Sequence, residues 1–334
     1  MKLFKPLLIA ALACASLLSA PLAQAQTRTL KFATQNPKGH PLVTGMERFA
    51  ELAASKSGGR IKVELFPGGV LGSDQANVSA LQGGTLDMVV LNSGILASQV
   101  KEFGIYDFPF LFANPREADA VVDGAFGKKL HQALEAKGIV GLAYWELGFR
   151  NLSNSRRAVN RVEDLAGLKL RVIPNAINVD WVKALGANPT PLPFPELYAA
   201  LDQKAVDGQE NPNSVILANK FYEVQKFLTL SNHQYNPQSL IFSKKVWDGL
   251  SADERRVLSE AAVEAGKYQR EVSRREASAN LDALKKNGMQ VSELSAAELT
   301  KFRERMRPVI ARHAAVVGEA VVQEIQAELA RLRK

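Results

Sequence analysis

The sequence predicts an α/β fold with two domains, and three observations support this. Strand-like and helix-like segments alternate along the chain, which is the pattern of doubly wound α/β domains. The 334 residues exceed the size that one hydrophobic core usually serves. The clearest unit is residues 167–212, which reads as strand, helix, strand, helix and polar turn.

Residues 1–25 have the pattern of a cleaved export signal. Two lysines precede an apolar run, residues 7–18, that is too short to span a bilayer, and small residues place the cleavage site after Ala25. Cleavage there predicts a periplasmic protein without cysteine, which needs no disulfide framework. The alternative is a lipoprotein site at Cys14, but the usual leucine three places upstream is missing.

The charge of the chain favours small anionic ligands. Loss of Lys2 and Lys5 with the leader would take the formal net charge from +8 to +6. No dense stripe of Lys and Arg with interleaved aromatic residues appears, so the sequence gives no indication of nucleic-acid binding.

The first domain is predicted to contain three strands with two intervening helices. The strands are expected at 30–34, 61–66 and 87–91, and the helices at about 41–57 and 74–82. Ligands of such sheets bind beyond the carboxyl ends of the strands. The polar residues found there are Gln35, Asn36, Asn92 and Ser93.

The rest of the chain crosses between the domains more than once. We expect a helix over 115–136, a strand over 139–145, a polar turn over 206–212 and a strand over 239–243. A helix from Ser251 to about Asn287 would be long enough to bridge two domains, at about 1.5 Å per residue. The predicted division is 26–148 plus 237–276 for the first lobe and 149–236 plus 277–334 for the second.

The most unusual residue of the 167–212 stretch is Arg171. It lies in the short strand 168–172, which Pro174 and Asn175 end. A guanidinium in a strand that ends at such residues is a candidate ligand clamp, because its parallel donors fit a carboxylate bidentately.

Several segments resemble the DctP-type substrate-binding proteins of tripartite ATP-independent periplasmic (TRAP) transporters. The most specific is Val206–Pro212 (VDGQENP), followed by Phe221–Gln225 (FYEVQ). The others are Gly167–Val172 (GLKLRV), Ala184–Pro189 (ALGANP) and Glu196–Leu201 (ELYAAL), with weaker features at Leu71-Gly72 and Gly148–Arg150. The similarity covers essentially the whole chain after the leader, in the expected order.

The resemblance implies the architecture of a periplasmic binding protein. Two α/β lobes would be joined by hinge strands and a long spanning helix, with a ligand enclosed in the cleft between the lobes. It further implies a small organic anion as ligand, a TRAP membrane permease driven by an ion gradient as partner, no cofactor, and no catalytic activity. A monomer is expected.

The same resemblance assigns roles to individual residues. It implies that Arg171 binds the ligand carboxylate, that Arg150 is a second basic residue beside it, and that Asn211 completes the site. Phe194 would pack on the ligand. The first lobe would contribute Gln35 and Asn92. The sialic-acid branch of the family has a glutamate and an arginine in that region. This chain has Asn92 and Ile95 there instead, which disfavours sialic acid as the ligand.

Structural alternatives exist for each of these residues. Arg171 could instead pair with Glu210 or Asp180, Arg150 could lie on the surface, and Asn211 could cap a turn before Pro212. Phe194, Trp181 and Tyr198 could be core aromatics. We expect His40 to order its loop, whereas His233 is equally compatible with a ligand contact and with a structural role.

Two other classes of protein are alternatives to a TRAP substrate-binding protein. A secreted hydrolase is poorly supported, because no G-x-S-x-G elbow, P-loop or dinucleotide fingerprint appears and His40, His131, His233 and His313 lack metal-ligand spacing. A binding protein for an ATP-driven importer or a sensor kinase is not distinguished by this chain. Among ligands, a sugar acid (uronate or aldonate) is slightly favoured over a C4-dicarboxylate, because one anion clamp faces neutral amides. Other small hydroxy, keto or aromatic acids are further alternatives.

Overall fold

The computed structural model describes residues 27–334. The leader, its cleavage site and Cys14 lie outside the described residues. The described part of the chain contains nine strands: β1 (Arg28–Ala33), β2 (Ile61–Phe66), β3 (Met88–Asn92), β4 (Ile139–Asn154), β5 (Lys169–Val172), β6 (Asn188–Pro191), β7 (Gly208–Asn211), β8 (Phe227–Ser243) and β9 (Gln290–Glu293).

Helices pack on both faces of these strands. They are α1 (Pro41–Lys56), α2 (Asp74–Gly83), α3 (Pro115–Asp123), α4 (Ala125–Ala133), α5 (Ala176–Ala184), α6 (Leu197–Asp202), α7 (Asn213–Ala218), α8 (Lys244–Trp247), α9 (Ala252–Lys286), α10 (Ala296–Val317) and α11 (Glu319–Leu332). None of the helices in 27–334 combines the length and apolar character that a membrane span requires.

The strands form one continuous sheet in the order β2-β1-β3-β8-β4-β7-β5-β6, with β9 beside β8. β4 and β8 are antiparallel and run from the first half of the sheet into the second. Their register shifts near Gly141, Gly148 and Arg150, where bulges bend the strands. The two lobes are therefore joined by a pair of long bent strands, which is the predicted hinge architecture.

Two hydrophobic clusters of buried side chains cover the two faces of this sheet. Alternate residues of β3 separate between them, because successive side chains of a strand point to opposite faces. Val89 and Leu91 belong to the cluster that contains Trp181 and Phe302, whereas Met88 and Val90 belong to the cluster that contains Leu258. Each cluster includes residues of both halves of the sheet, so the hydrophobic core is shared between the lobes.

Helix α9 confirms the predicted long helix and is fixed to the centre of the sheet. Ser251 and Glu254 form a capping box at its start. Further along, the Gln269 amide donates to the backbone oxygen of Glu146 at 2.8 Å and accepts from its backbone nitrogen at 2.9 Å. A Cβ on Gly266 would lie 2.7 Å from Cδ1 of Trp145, so glycine permits the close approach of α9 to β4.

Two sequence predictions of local structure are wrong. The single helix expected over 115–136 is two helices, because Gly124 adopts an extended conformation between α3 and α4. The polar turn expected over 206–212 contains the buried strand β7, which pairs with β4. The sequence did not predict this strand because its buried side chains are polar rather than apolar. They are buried because they bond to other buried polar groups; Gln209, for example, donates to Oγ of Ser153 at 2.7 Å.

The carboxyl-terminal helices contact elements of both halves of the chain. Helix α10 packs on α5, and His313 lies 2.9 Å from Asp180. Helix α11 packs on α3, and Arg333 forms a 2.8 Å ion pair with Glu117. The assignment of 277–334 to the second lobe, like the other lobe boundaries, stays a prediction.

The close packing at Gly266 gives the first testable prediction. Gly266→Leu should lower the free energy of unfolding by about 1–3 kcal/mol, because the new side chain would overpack the contact between α9 and Trp145. Urea unfolding measures this change. Ser278→Leu, at an exposed position of the same helix, is the control; equal stability of the two variants would contradict the packing described.

Candidate functional site

A cavity of about 50 Å³ lies between the two halves of the sheet, beyond the carboxyl ends of β1, β3 and β5. Seventeen residues line it: Thr34, Gln35, Asn36, Asp74, Gln75, Val90, Leu91, Asn92, Ile95, Leu147, Arg150, Arg171, Ile173, Pro174, Pro193, Phe194 and Gln238. The lining includes Gln35, Asn92, Arg150, Arg171 and Phe194 from the predicted site, and it leaves out Asn211 and His233.

Arg171 has a guanidinium end available to the cavity. Its Nε donates to the backbone oxygen of Leu192 at 2.9 Å, which fixes the side chain. Within 27–334 its two terminal nitrogens make no hydrogen bond or ion pair. Glu210 and Asp180, the structural partners considered for Arg171, are paired with other residues.

Burial, together with the nearby Arg150 charge, lowers the pKa of Arg171 to about 10. The group nevertheless stays positively charged at neutral pH. Phe194 lies beside it, with the guanidinium carbon 5.8 Å from the ring centroid. A charged, planar fork that is held at Nε and open at its other end can bind a carboxylate bidentately.

Arg150 also reaches the cavity, but most of its donors are used. The side chain is 1% exposed, so the surface alternative is wrong. Its Nε and Nη2 bond to both carboxylate oxygens of Glu210, Nη2 also bonds to the backbone oxygen of Glu210, and Nη1 donates to Oδ1 of Asn236 at 2.6 Å. Since a guanidinium has five N–H groups, one on Nη1 is left for a ligand.

The Glu210 carboxylate keeps its charge in this buried pair. Burial alone would raise its pKa, but the Arg150 charge and the hydrogen bonds from His233 and Arg150 outweigh that and lower the pKa to about 2. Burial lowers the pKa of His233, which stays neutral at pH 7. The positive charge of Arg150 is thus balanced by Glu210, whereas that of Arg171 forms no ion pair with any residue of 27–334.

A second buried carboxyl group, that of Asp107, contacts two residues that are distant from it in sequence. Asp107 accepts a hydrogen bond from Asn175 at 2.5 Å and another from Gln234 at 2.8 Å. Burial raises the pKa of Asp107 to about 7, against the opposing effect of the Arg150 charge. Asn175 also caps α5 through its side chain, so this contact joins the start of α5 to the segment 101–107.

Amide side chains line the opposite wall. The Gln35 amide nitrogen donates to the backbone oxygen of Gly72 at 2.6 Å, and Oδ1 of Asn92 accepts from the backbone of Gly94 at 3.0 Å. Oε1 of Gln35 and Nε2 of Gln238 are buried without a hydrogen-bond partner in the described residues. Buried polar atoms of this kind favour a polar ligand, since leaving them unpaired is costly.

Asn211 and His233 lie behind the cavity. Asn211 is on β7, and its amide nitrogen donates to Oε1 of Gln209 at 2.6 Å. His233 is fully buried, with Nδ1 2.8 Å from Oγ of Ser231 and Nε2 3.4 Å from Glu210. Of the two, His233 contacts the Arg150–Glu210 pair; direct ligand contact by either residue stays a prediction. His40 orders its loop as expected, because its Nδ1 accepts from the backbone of Leu42.

Sequence reasoning missed four polar residues of the lining: Thr34, Asp74, Gln75 and Gln238. Gln238 lies opposite Asn92 in the pairing of β3 with β8, so strand register would have identified it. Asp74 is the first residue of α2, and the sequence pattern predicts only the start of a helix there. Its position after the glycine-rich segment 68–72 was the available signal, since that segment follows the carboxyl end of β2.

The Arg150–Glu210 pair gives a stability prediction. Glu210→Gln should cost about 3–5 kcal/mol at pH 7, because it leaves the Arg150 charge buried and uncompensated. The depressed pKa of Glu210 makes its contribution fully present above about pH 4.5 and lost as the pH falls through about 2.

Urea unfolding between pH 7 and pH 2.5 measures both effects. The Glu210→Gln variant should lose part of the acid dependence of the wild-type protein, whereas the solvent-facing control Glu264→Gln should keep it. Wild-type stability and acid dependence in Glu210→Gln would show that the pair does not hold Arg150 in place.

Comparison with known proteins agrees with this geometry. Residues 32–316 match the family model for bacterial extracellular solute-binding proteins, family 7 (DctP). The 2,3-diketo-L-gulonate-binding periplasmic protein of Escherichia coli is 37% identical over 79% of this chain and 80% of its own length. The C4-dicarboxylate-binding periplasmic protein of Rhodobacter capsulatus is 35% identical over 97% of both chains.

A solved structure is similar over nearly the whole chain. The sugar acid binding protein of Advenella mimigardefordensis in complex with galactonate is 41% identical, with a TM-score of 0.90 over 92% of this chain and 99% of that one. Its ligand and those of the relatives are small organic acids. The chain therefore belongs to the DctP family, the extracellular solute-binding proteins of TRAP transporters, and is a transport protein rather than an enzyme.

Proposed function

We propose that this protein captures a sugar acid, an aldonate or a uronate, and delivers it to an ion-driven TRAP permease. The observation that carries the proposal is the unpaired guanidinium end of Arg171 in a small, polar cavity. A buried, uncompensated positive charge is costly unless an anion meets it. The ligand carboxylate supplies that anion, and the remaining N–H of Arg150 bonds to it as well.

The rest of the lining suits hydroxyl groups. Gln35, Asn92 and Gln238 carry neutral amides that accept from and donate to hydroxyls. Gln238 and Gln35 each have a buried atom without a partner in the described part of the chain. Phe194 covers one side with an apolar ring, as protein sites for sugar rings and carbon chains require.

The comparisons also favour a sugar acid over a C4-dicarboxylate. The galactonate complex is 41% identical and the diketogulonate-binding protein 37%, against 35% for the C4-dicarboxylate-binding protein. Because these differences in identity are small, the charges of the site are the stronger reason to favour a sugar acid over a C4-dicarboxylate. A dicarboxylate would need a second uncompensated cation, and in 27–334 the other arginine of the lining is already paired with Glu210.

For transport, the protein must bind the acid and release it without converting it chemically. The acid meets Arg171 in an open cleft, and bending of β4 and β8 brings Gln35 and Asn92 onto its hydroxyl groups. The ligand stabilises the closed form by its higher affinity for that form. The closed protein, a monomer exported and cleaved after Ala25, then docks on the permease.

Replacement of Arg171 tests the proposal directly. Arg171→Ala should retain the fold and weaken binding of the acid by about 2–5 kcal/mol, because it removes one partner of a buried charged hydrogen bond. Arg156→Ala is the control, since that arginine has a side chain that is 66% exposed. Titration calorimetry with galactonate and glucuronate measures the difference.

A thermal-shift screen identifies the ligand class. Aldonates, uronates, C4-dicarboxylates, keto acids and neutral sugars would be compared, and a ligand at 100 times its Kd adds about 2.7 kcal/mol to the stability of the native protein. A shift with sugar acids that Arg171→Ala abolishes is the expected result. A shift with neutral sugars alone would mean that the arginine is structural.

A further inference from the structure

The wall of the cavity that the first lobe contributes contains one acidic side chain, Asp74. It is the first residue of α2 and lines the same cavity as Arg171. Its Oδ1 has no access to solvent and no hydrogen-bond partner in residues 27–334. The nearby Oε1 of Gln35, a residue that is 7% exposed, is also buried without a partner there. Asp74 is therefore an acidic residue of the cavity lining whose carboxylate is not saturated by donors from the described residues.

The charge on Asp74 is not neutralised by a direct ion pair. Arg171 is close enough to act on it electrostatically, yet the two side chains make no ion pair in the described part of the protein. Burial raises the pKa of Asp74 to about 7, and the Arg171 charge and the Gln35 amide only partly oppose this. The carboxyl group is therefore an acceptor when ionised and also a donor when protonated.

We propose that Asp74 is a specificity-determining residue, which accepts a hydrogen bond from a ligand hydroxyl and rejects acids with a second carboxylate. This inference rests on the proposed function, because it takes Arg171 as the site of the first carboxylate. The cavity then has a positive group for the acid end of the ligand and an acidic group for its hydroxylated part.

The selectivity follows from the charges in the cavity. A hydroxyl that donates to a carboxylate forms a charge-assisted hydrogen bond, which is stronger than a neutral one. A second carboxylate in the same place would meet a like charge in a buried site, which is strongly unfavourable. Arg150 does not offset this repulsion, since Glu210 already balances its charge.

The same geometry gives the selectivity a pH dependence. The charged group that faces Asp74 is Arg171 on β5, and the neutral Gln35 faces it from the segment after β1. Arg171 stays charged across this range. The pKa of Asp107 is also about 7, but Asp107 does not line the cavity, so the comparison with Asp74→Asn separates its contribution from that of Asp74. As the pH falls through about 7, Asp74 gains a proton that it can donate to a second carboxylate. Binding of a dicarboxylate should therefore tighten, while binding of a monocarboxylate with hydroxyls should change little.

A matched pair of ligands isolates this effect. Galactonate and galactarate share a six-carbon hydroxylated chain and differ at one end, where a CH₂OH group is replaced by a carboxylate. Calorimetric Kd values for both acids would be measured at pH 8 and pH 6 with the wild-type protein, Asp74→Asn and the control Glu47→Gln, whose glutamate is exposed on α1.

The wild-type protein should prefer galactonate at pH 8 by at least about tenfold, and the preference should shrink at pH 6. Asp74→Asn should remove most of the preference and its pH dependence, and Glu47→Gln should retain both. Circular dichroism would show whether each variant is folded. A preference that is unchanged in folded Asp74→Asn, or a wild-type preference for galactarate, would overturn the inference.

The outcomes separate this inference from the proposed function. If galactonate binds in an Arg171-dependent manner but Asp74→Asn keeps the selectivity, the role of Asp74 alone is wrong. If no sugar acid binds, the proposed function is wrong; succinate and 4-hydroxybutyrate then replace the pair. A wild-type preference for succinate in that pair would overturn the role of Asp74 too, and an Asp74-dependent preference for 4-hydroxybutyrate would support it.

Discussion

The buried pair of Arg150 and Glu210 determines the electrostatics of the whole site. Two arginines approach the same small cavity, and their charges would repel each other if neither were compensated. Glu210 binds Arg150 bidentately and holds it against β7, with a pKa lowered to about 2. Because of this pair, Arg171 is the arginine of the lining that can meet a ligand anion with its full charge. Asn236, which accepts a hydrogen bond from Arg150, and His233, which lies 3.4 Å from Glu210, help to fix the pair.

The fold places this pair where the chain passes between its lobes. Arg150 lies on β4 beside one of the register shifts that bend the strand, and Glu210 lies on the neighbouring strand β7. The sheet is continuous through both lobes, and both of its faces are covered by hydrophobic clusters that extend across it. Helix α9 holds the central strand through Gln269 and Trp145. In the proposed closure, β4 and β8 would bend at these register shifts, and the Arg150–Glu210 pair would stay joined through the pairing of β4 with β7.

Much of the fold could be predicted from the sequence, because most elements have a clear local pattern. Alternation identified β2, and the Ser251 capping box with its helical periodicity identified α9. Strand β7 was missed because buried polar residues such as Glu210 read as a turn, and only their partners on β4 make them a strand. The break at Gly124 was missed because glycine within a helical pattern does not by itself end a helix.

The sequence predicted the site best for residues whose side-chain chemistry indicates a particular ligand group. Arg171 was identified from its chemistry and from the family resemblance, and the structure shows its guanidinium end at the cavity. The state of Arg150 could not be predicted, because its pairing with Glu210 depends on the register of two strands distant in sequence. Asp74 was missed for a similar reason: a carboxylate at the start of a helix is common, and only the tertiary fold brings it to the cavity.

The central claim is that Arg171 recognises the ligand through the negative charge of a carboxylate. Calorimetry with galactonate and with galactitol, its neutral analogue, tests this most directly when it is done on the wild-type protein and on Arg171→Ala. Such a cycle isolates the interaction between the carboxylate and the arginine. The account predicts that the wild-type protein strongly prefers galactonate and that the preference disappears in Arg171→Ala. Equal binding of galactitol by the wild-type protein, or an unchanged preference in the variant, would contradict it.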